Sequence, residues 1–357
     1  MAILIIIICL FTLIFLHELG HFLVAKKFGV RVDEFGIGIP PRMFGKKIGE
    51  TIYSVNWIPL GGFVKLHGED KRIKDKDSFS AKPIWQRALI VFAGVAAFFV
   101  IAFFIFSANH MVGVLTFVPE EEMHLYKNAE VKITSIAPNS PTQDAGIRVR
   151  DTLLKIDDRD VDTASGAMEI LSEKEGESVT LTLERGRERM SYKLTPREEY
   201  PEGEGPLGFG INLMAYKKEP IHRAVISGAV ATKNMTLLVL TGLSALLSSL
   251  IVGEGVPTGM DVGGPVAIVG HGVDFFSAGF SDFLEFLGII TISLAIFNLL
   301  PIPALDGGRL LFLLIEKLKG GPIPEKLEQG LILFFFLLLI GTMFIVTYGD
   351  ITKMVNN

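Results

Sequence analysis

Apolar residues in this chain fall in long uniform blocks separated by polar stretches of a different texture. Residues 2–25, 84–107 and 331–347 are almost wholly hydrocarbon, and 283–304 is apolar up to a helix-breaking end. A bilayer core of about 30 Å takes about 20 such residues in a helix, so each block predicts a transmembrane span. Val30 to Leu66 reads instead as extended structure broken by Gly and Pro, too apolar for an ordinary loop, and predicts a β-region that dips into the membrane. Met111 to Pro196 alternates in short runs bounded by turns, which predicts an inserted α+β unit. Thr232 to Val252 is apolar but carries Asn234, Thr241, Ser244 and Ser248 as a narrow stripe at helical spacing, which predicts a helix lying at the interface.

Composition agrees with a multi-spanning membrane protein. Of 357 residues 49% are hydrophobic, and the mean hydropathy is +0.45, too high for a purely soluble chain. The first block lacks a basic leader and a small-residue cleavage site, so it is expected to persist as a helix. The single cysteine, Cys9, allows neither an intramolecular disulfide nor a cysteine-based metal site. Between Lys26 and Arg87 there are 13 basic and 7 acidic residues, against 16 and 25 from Ala108 to Asp282. The positive-inside tendency therefore places the first loop in the cytoplasm and the middle region outside.

Against that background the run His17-Glu18-Leu19-Gly20-His21 stands out, because it lies inside the first hydrocarbon block. Two histidines four apart share one helix face and can ligate one Zn²⁺, while the intervening glutamate can act as general base. A carboxylate at such a depth costs about 3 kcal/mol unless it faces a cavity or a partner. The other five histidines, His67, His110, His124, His222 and His271, stand among polar or turn residues and read as surface or interfacial. Far downstream, Asn298-Leu-Leu-Pro301-Ile-Pro303-Ala-Leu-Asp306-Gly307-Gly308 closes the span that begins near Phe283. Its carboxylate supplies the third ligand that the histidine pair lacks and leaves a fourth position for water. The two polar clusters meet at one depth only if 232–252 does not cross, which is the reason for reading it as peripheral.

Taken together, these motifs resemble the site-2 protease family of intramembrane zinc metalloproteases, in its bacterial regulator-of-sigma-E type. Four stretches in order carry the resemblance: Phe15 to Phe22, Ile58-Pro-Leu-Gly-Gly-Phe-Val-Lys65, Gly263-Gly-Pro-Val266 and Phe297 to Gly308. The insert between the second and third spans resembles a PDZ domain through Asn139-Ser-Pro141, Ala145-Gly-Ile147 and Asp151-Thr-Leu-Leu-Lys-Ile156, with Arg150 where such domains usually have glycine. Some relatives carry two PDZ domains in tandem; the insert here has room for one.

The resemblance implies a polytopic α-helical membrane protein with four transmembrane helices, a membrane-associated β-region and one extracytoplasmic PDZ-like α+β domain. The expected boundaries are 1–28 for the first span, 29–83 for the cytoplasmic-side β-region, 84–108 for the second span and 111–198 for the PDZ-like domain. A linker with peripheral helices follows at 199–282, then the third span at 283–308 and the fourth at 329–347. His17, His21 and Asp306 are the expected zinc ligands, Glu18 the water-activating base, and Asn298, with Pro301 and Pro303, the substrate-holding group. Expected substrates are single-span proteins of the bacterial inner membrane, such as pre-trimmed anti-sigma factors or signal-peptide remnants, cut near the cytoplasmic side to release a signalling fragment. The lipid bilayer and a peptide ligand of the PDZ groove are further expected partners, and nucleic acid is not. Two alternatives compete: a non-catalytic PDZ-bearing peptide receptor with a closed structural metal site, and an ion-coupled transporter that uses the buried carboxylates as a relay.

Overall fold

A computed structural model describes residues 1–356 except 70, 175, 187, 198, 202–203 and 257–262, and leaves the side chains of Pro59, Leu60 and 353–356 undescribed. The chain opens with α1 (Ala2–Lys27), whose last turn carries Lys26 and Lys27, cations that complement the carbonyl end of the helix. The β-region follows as β1 (Val32–Ile48) and β2 (Thr51–Leu66). Their register folds each long strand back on itself, giving four runs in the order 62–65, 34–37, 52–55, 44–47. The run 62–65 is therefore an edge, and it lies on α1, with Gly61 against Ile14 and Gly62 against Phe15 and Glu18.

From α2 (Ile84–Val112) the chain enters the inserted unit: β3 (Val114–Phe117), β4 (Glu130–Ile136), α3 (Pro141–Asp144), β5 (Thr152–Ile156), β6 (Arg159–Asp160), α4 (Ala164–Ser172), β7 (Val179–Arg185), β8 (Glu188–Leu194) and β9 (Phe209–Lys217). The sheet order is β3-β9-β4-β5-β7-β8, with β6 paired to β5. Alternate residues of these strands, among them Val131, Ile133, Leu153, Leu181 and Leu183, close one core with Ala167 and Leu171 of α4. The unit extends beyond the expected limit at 198. β9 pairs with both β3 and β4 and cannot be a linker.

The helical part continues with α5 (Ile221–Val252), α6 (Pro265–Ala278), α7 (Phe280–Leu299), α8 (Asp306–Lys319) and α9 (Glu325–Asn356). α2 is the hub, packed against α1, α5, α7 and α8. Among the described residues five helices are long and apolar enough to cross a membrane, α1, α2, α5, α7 and α9, where the sequence predicted four. The additional one contains the stretch read as peripheral. α5 runs along α2 and α7, with Ala231, Met235, Val239 and Leu243 on the Ala102, Phe106, Ile292 and Ile296 cluster. In its polar stripe Thr241, Ser244 and Ser248 each turn their hydroxyl onto a backbone carbonyl three residues back, which satisfies them within the helix.

A second departure concerns the end of the third span. The helix stops at Leu299, six residues of non-helical backbone follow, and Asp306 begins a new helix rather than terminating the old one. The turn is tight because α8 starts directly on the carbonyls of the preceding segment. A Cβ at Gly307 would lie 2.2 Å from the Leu299 oxygen, and one at Gly308 2.2 Å from the Ile302 oxygen. Only glycine fits at either place.

Candidate metal centre

His17 and His21 project from one face of α1 toward α2 and the start of α8, and both are buried. Asp306 meets them across nearly three hundred residues of sequence. Its Oδ2 lies 3.3 Å from His17 Nε2 and 3.2 Å from His21 Nε2, and the two Nε2 atoms are 3.2 Å apart. Donors placed about 2.0 Å from one ion at tetrahedral angles are separated by about 3.3 Å, so this triangle has the dimensions of three tetrahedral ligand positions.

Hydrogen bonding favours the same interpretation. His21 Nδ1 lies 2.8 Å from the Ile90 carbonyl, which can only accept, so the ring proton sits on Nδ1 and Nε2 presents a lone pair. That lone pair faces Asp306 Oδ2, an atom buried without a hydrogen-bond partner. Lone pair against lone pair in a dry site is repulsive, and a cation between them removes the conflict. The donor set of two imidazoles and a carboxylate suits a zinc-sized divalent ion and leaves a position for water.

Around the triangle is a cavity of about 280 Å³, whose lining includes His17, Glu18, Val64, Asn298, Ala304 and Arg309. The Glu18 carboxylate accepts a hydrogen bond from the Val64 backbone N–H at 3.1 Å, which ties the histidine helix to the free edge of the β-region. Asn298 lines the cavity, and in this state its side-chain amide donates to the Leu294 carbonyl of its own helix at 2.9 Å. Pro301 and Pro303 are not among the lining residues; Pro301 is exposed and Pro303 buried in the turn that aims α8.

Residues 5–342 match the model of peptidase family M50. The chain belongs to that family. A Clostridium perfringens protein named as a zinc metalloprotease is 35% identical over 340 residues, covering 95% of each chain. The regulator of sigma-W protease of Bacillus subtilis is 26% identical over 426 aligned positions, covering 96% of each. A zinc metalloprotease of Oceanobacillus iheyensis is 27% identical, covering 96% of this chain and 97% of its own.

Membership of M50 makes this chain a multi-pass membrane metalloprotease, and the receptor and transporter alternatives give way. Several contributors to this cluster were not singled out from the sequence. Gly94 of α2 sits against both imidazoles, such that a Cβ there would be 2.2 Å from His21 Nε2 and 2.6 Å from His17 Cε1. Phe98, one turn further, stacks on His17 with ring centroids 4.6 Å apart. Ile90 supplies the carbonyl noted above. The signal was present as Gly94-Val-Ala-Ala97, a run of small residues that lets two membrane helices approach closely.

His67 also differs from its expected surface role. It is buried beside Asp75 and Asp77, a grouping with ligand-like spacing. Arg31 fills that grouping, with Nη2 2.8 Å from His67 Nε2 and Nη1 3.2 Å from Asp77, so a cation already occupies the place an ion would take.

Proposed function

We propose that this chain is a zinc-dependent intramembrane endopeptidase that cleaves single-span membrane proteins near the cytoplasmic face and releases a cytoplasmic fragment. The observation that carries this reading is the triangle of His17, His21 and Asp306, set within apolar helices beside Glu18. His17, His21 and Asp306 would hold the zinc after which the relatives are named. Bound there, the ion supplies Lewis acidity toward a water and the scissile carbonyl.

The remaining work belongs to side chains and backbone. Glu18 accepts the proton of the attacking water on its carboxylate and returns it to the departing amine nitrogen. Val64 N–H holds the carboxylate in place until substrate arrives. A transmembrane substrate has to unwind before its carbonyl can reach the site, and its freed backbone groups then need partners where bulk water is absent. The edge run 62–65 offers such partners by strand addition, and Asn298, released from Leu294, offers one more.

In this reading the inserted unit is a PDZ-like domain outside the bacterial inner membrane. Gly208, at φ +74°, turns the chain into β9. Of the five candidate crossings, α1, α2, α7 and α9 are the four that the expected topology uses, and α5, packed along α2 and α7, is a candidate fifth. Substrates would be anti-sigma-factor-like proteins already trimmed outside. The test is incubation of purified protein with a panel of trimmed single-span membrane proteins, with and without a zinc chelator, reading fragments by mass. Chelator-sensitive cuts within the membrane segment support the proposal; intact substrates with a zinc-loaded enzyme contradict it.

A further inference from the structure

Arg309 lines the cavity around the triangle, and among the described lining residues it is the one arginine or lysine. It stands three positions after Asp306 at the start of α8, so ligand and cation share a helix face. Its guanidinium is ion-paired with Glu69, just past the edge run 62–65. Arg309 and Glu69 also line a second cavity of about 90 Å³, with Arg72, Arg87, Glu316 and Glu328, so the pair stands between the two spaces.

The chain from the edge to Glu69 has no slack. Leu66 is buried against Ala25, Val30, Val32 and Ile90. His67 is gripped through its backbone on both sides, its N–H donating to the Arg31 carbonyl at 2.9 Å and its carbonyl accepting from Phe79 N–H at 2.8 Å. Gly68, at φ +72°, passes so close to Ser78 that a Cβ would overlap the hydroxyl. Glu69 N–H then returns to the Leu66 carbonyl at 3.3 Å. A displacement of Glu69 is therefore carried back into the edge.

Each helix that supplies metal ligands sends one side chain to this segment. Glu18, next to His17 on α1, accepts from Val64 N–H within the edge, and Arg309, one turn from Asp306 on α8, takes Glu69 at its far end. α8 is fixed to α2 two turns further on, where Arg87 donates to both Glu316 oxygens at 3.0 and 2.6 Å. Among the described residues β2 does not itself pack on α8 over more than isolated points, so the spacing between Asp306 and the edge runs through Arg309. With the Arg309 side chain 42% exposed, the pair is screened by water and adds little to overall stability. Its contribution is geometric.

We propose that Arg309, acting through Glu69, is a positioning residue for the proteolysis: it sets the height of the edge 62–65 above the metal, and with it the place of a scissile carbonyl carried by a strand added to that edge. The inference rests on the protease reading for its substrate, while the geometry is measurable without turnover. In a Cys9→Ser background, a nitroxide at Lys65→Cys, an exposed edge position, reports its distance from Co²⁺ loaded in place of zinc through cobalt-enhanced spin relaxation. Arg309→Gln and Glu69→Gln should each weaken that enhancement at one cobalt per chain, and the exchanged pair Glu69→Arg with Arg309→Glu should restore it. Arg309→Lys, which keeps the charge, stands in for the exchange if the double variant fails to accumulate. In unlabelled zinc-loaded protein, kcat for a membrane-embedded reporter should fall on the order of 10- to 10²-fold in the Gln variants, the effect of about 1 Å of misplacement, with KM within about threefold. An enhancement or a kcat equal to that of the parent in both Gln variants overturns the proposal, and so does a loss that neither the exchange nor the Lys variant reverses. Should the parent cleave nothing, the protease reading fails and the relaxation measurement still decides whether Arg309 sets the edge.

Discussion

The carboxylate of Glu18 and the backbone N–H of Val64 are hydrogen-bonded at 3.1 Å, across the boundary between the first helix and the edge of the β-region. Glu18→Gln preserves the size of the side chain, and its amide oxygen can still accept from Val64. It removes the proton acceptor alone. Cleavage of a membrane reporter should fall on the order of 10²- to 10⁴-fold, with one zinc per chain retained by elemental analysis.

Asp306 differs in that its loss should be felt in the metal. Replacing a residue that merely orients a ligand costs about 10–100-fold in affinity, so Asp306→Asn should lose at least that much in competition against a chromogenic chelator. An unchanged zinc affinity would remove Asp306 from the ligand set.

Gly94 makes a prediction that no ligand motif suggests. A methyl group there would overlap both imidazoles, and the α1 backbone is already close, with the Gly20 Cβ position 2.6 Å from the Ala93 oxygen. Gly94→Ala should therefore lower both zinc content and thermal stability. Gly270→Ala on α6, where nothing lies within 4 Å of the new methyl, should be neutral or stabilising by up to about 1 kcal/mol.

Asp282 anchors the inserted unit to the start of α7. It is 2% exposed, receives the Tyr216 hydroxyl at 2.5 Å and pairs with Arg150, which also meets Glu285 at 2.9 Å and lies over the Phe275 ring. Asp282→Ala leaves Arg150 with Glu285 alone and the Tyr216 hydroxyl without its acceptor, and hydrogen exchange along 209–217 should accelerate. Burial first, and the adjacent Asp282 carboxylate second, hold the Tyr216 phenol above its ordinary value. A raised value in the folded state means that this contribution is complete below about pH 10 and fades as the pH rises further. A difference titration against Tyr216→Phe should show one phenol ionising late, and Asp282→Ala should bring it back toward the normal range.

Much of the site was legible because its chemistry is expensive to place in a membrane. His17, Glu18 and His21 interrupt hydrocarbon, and Asn298 to Gly308 interrupts it again, so both clusters announce themselves by composition. What sequence could not give was the backbone between them. Asp306 looked like the end of a span because glycines and prolines break helices, whereas the same residues allow a second helix to start against the carbonyls of the first. The length of α5 and its packing along α2 and α7 were not legible because hydroxyls bonded within their own helix look the same, in sequence, as hydroxyls facing water. The end of the inserted unit was missed because β9 returns to the middle of its sheet after a Gly- and Pro-rich stretch that reads as a linker. Gly94 went unremarked since a glycine's role depends on what faces it.

The most direct test of the central claim is X-ray absorption at the zinc edge on the purified protein in lipid. Two imidazole nitrogens and two oxygens at about 2.0–2.1 Å are predicted, one oxygen being exchangeable water, with one imidazole lost in His21→Ala and one oxygen altered in Asp306→Asn. A spectrum with sulfur ligands, or one indifferent to both substitutions, would contradict the account.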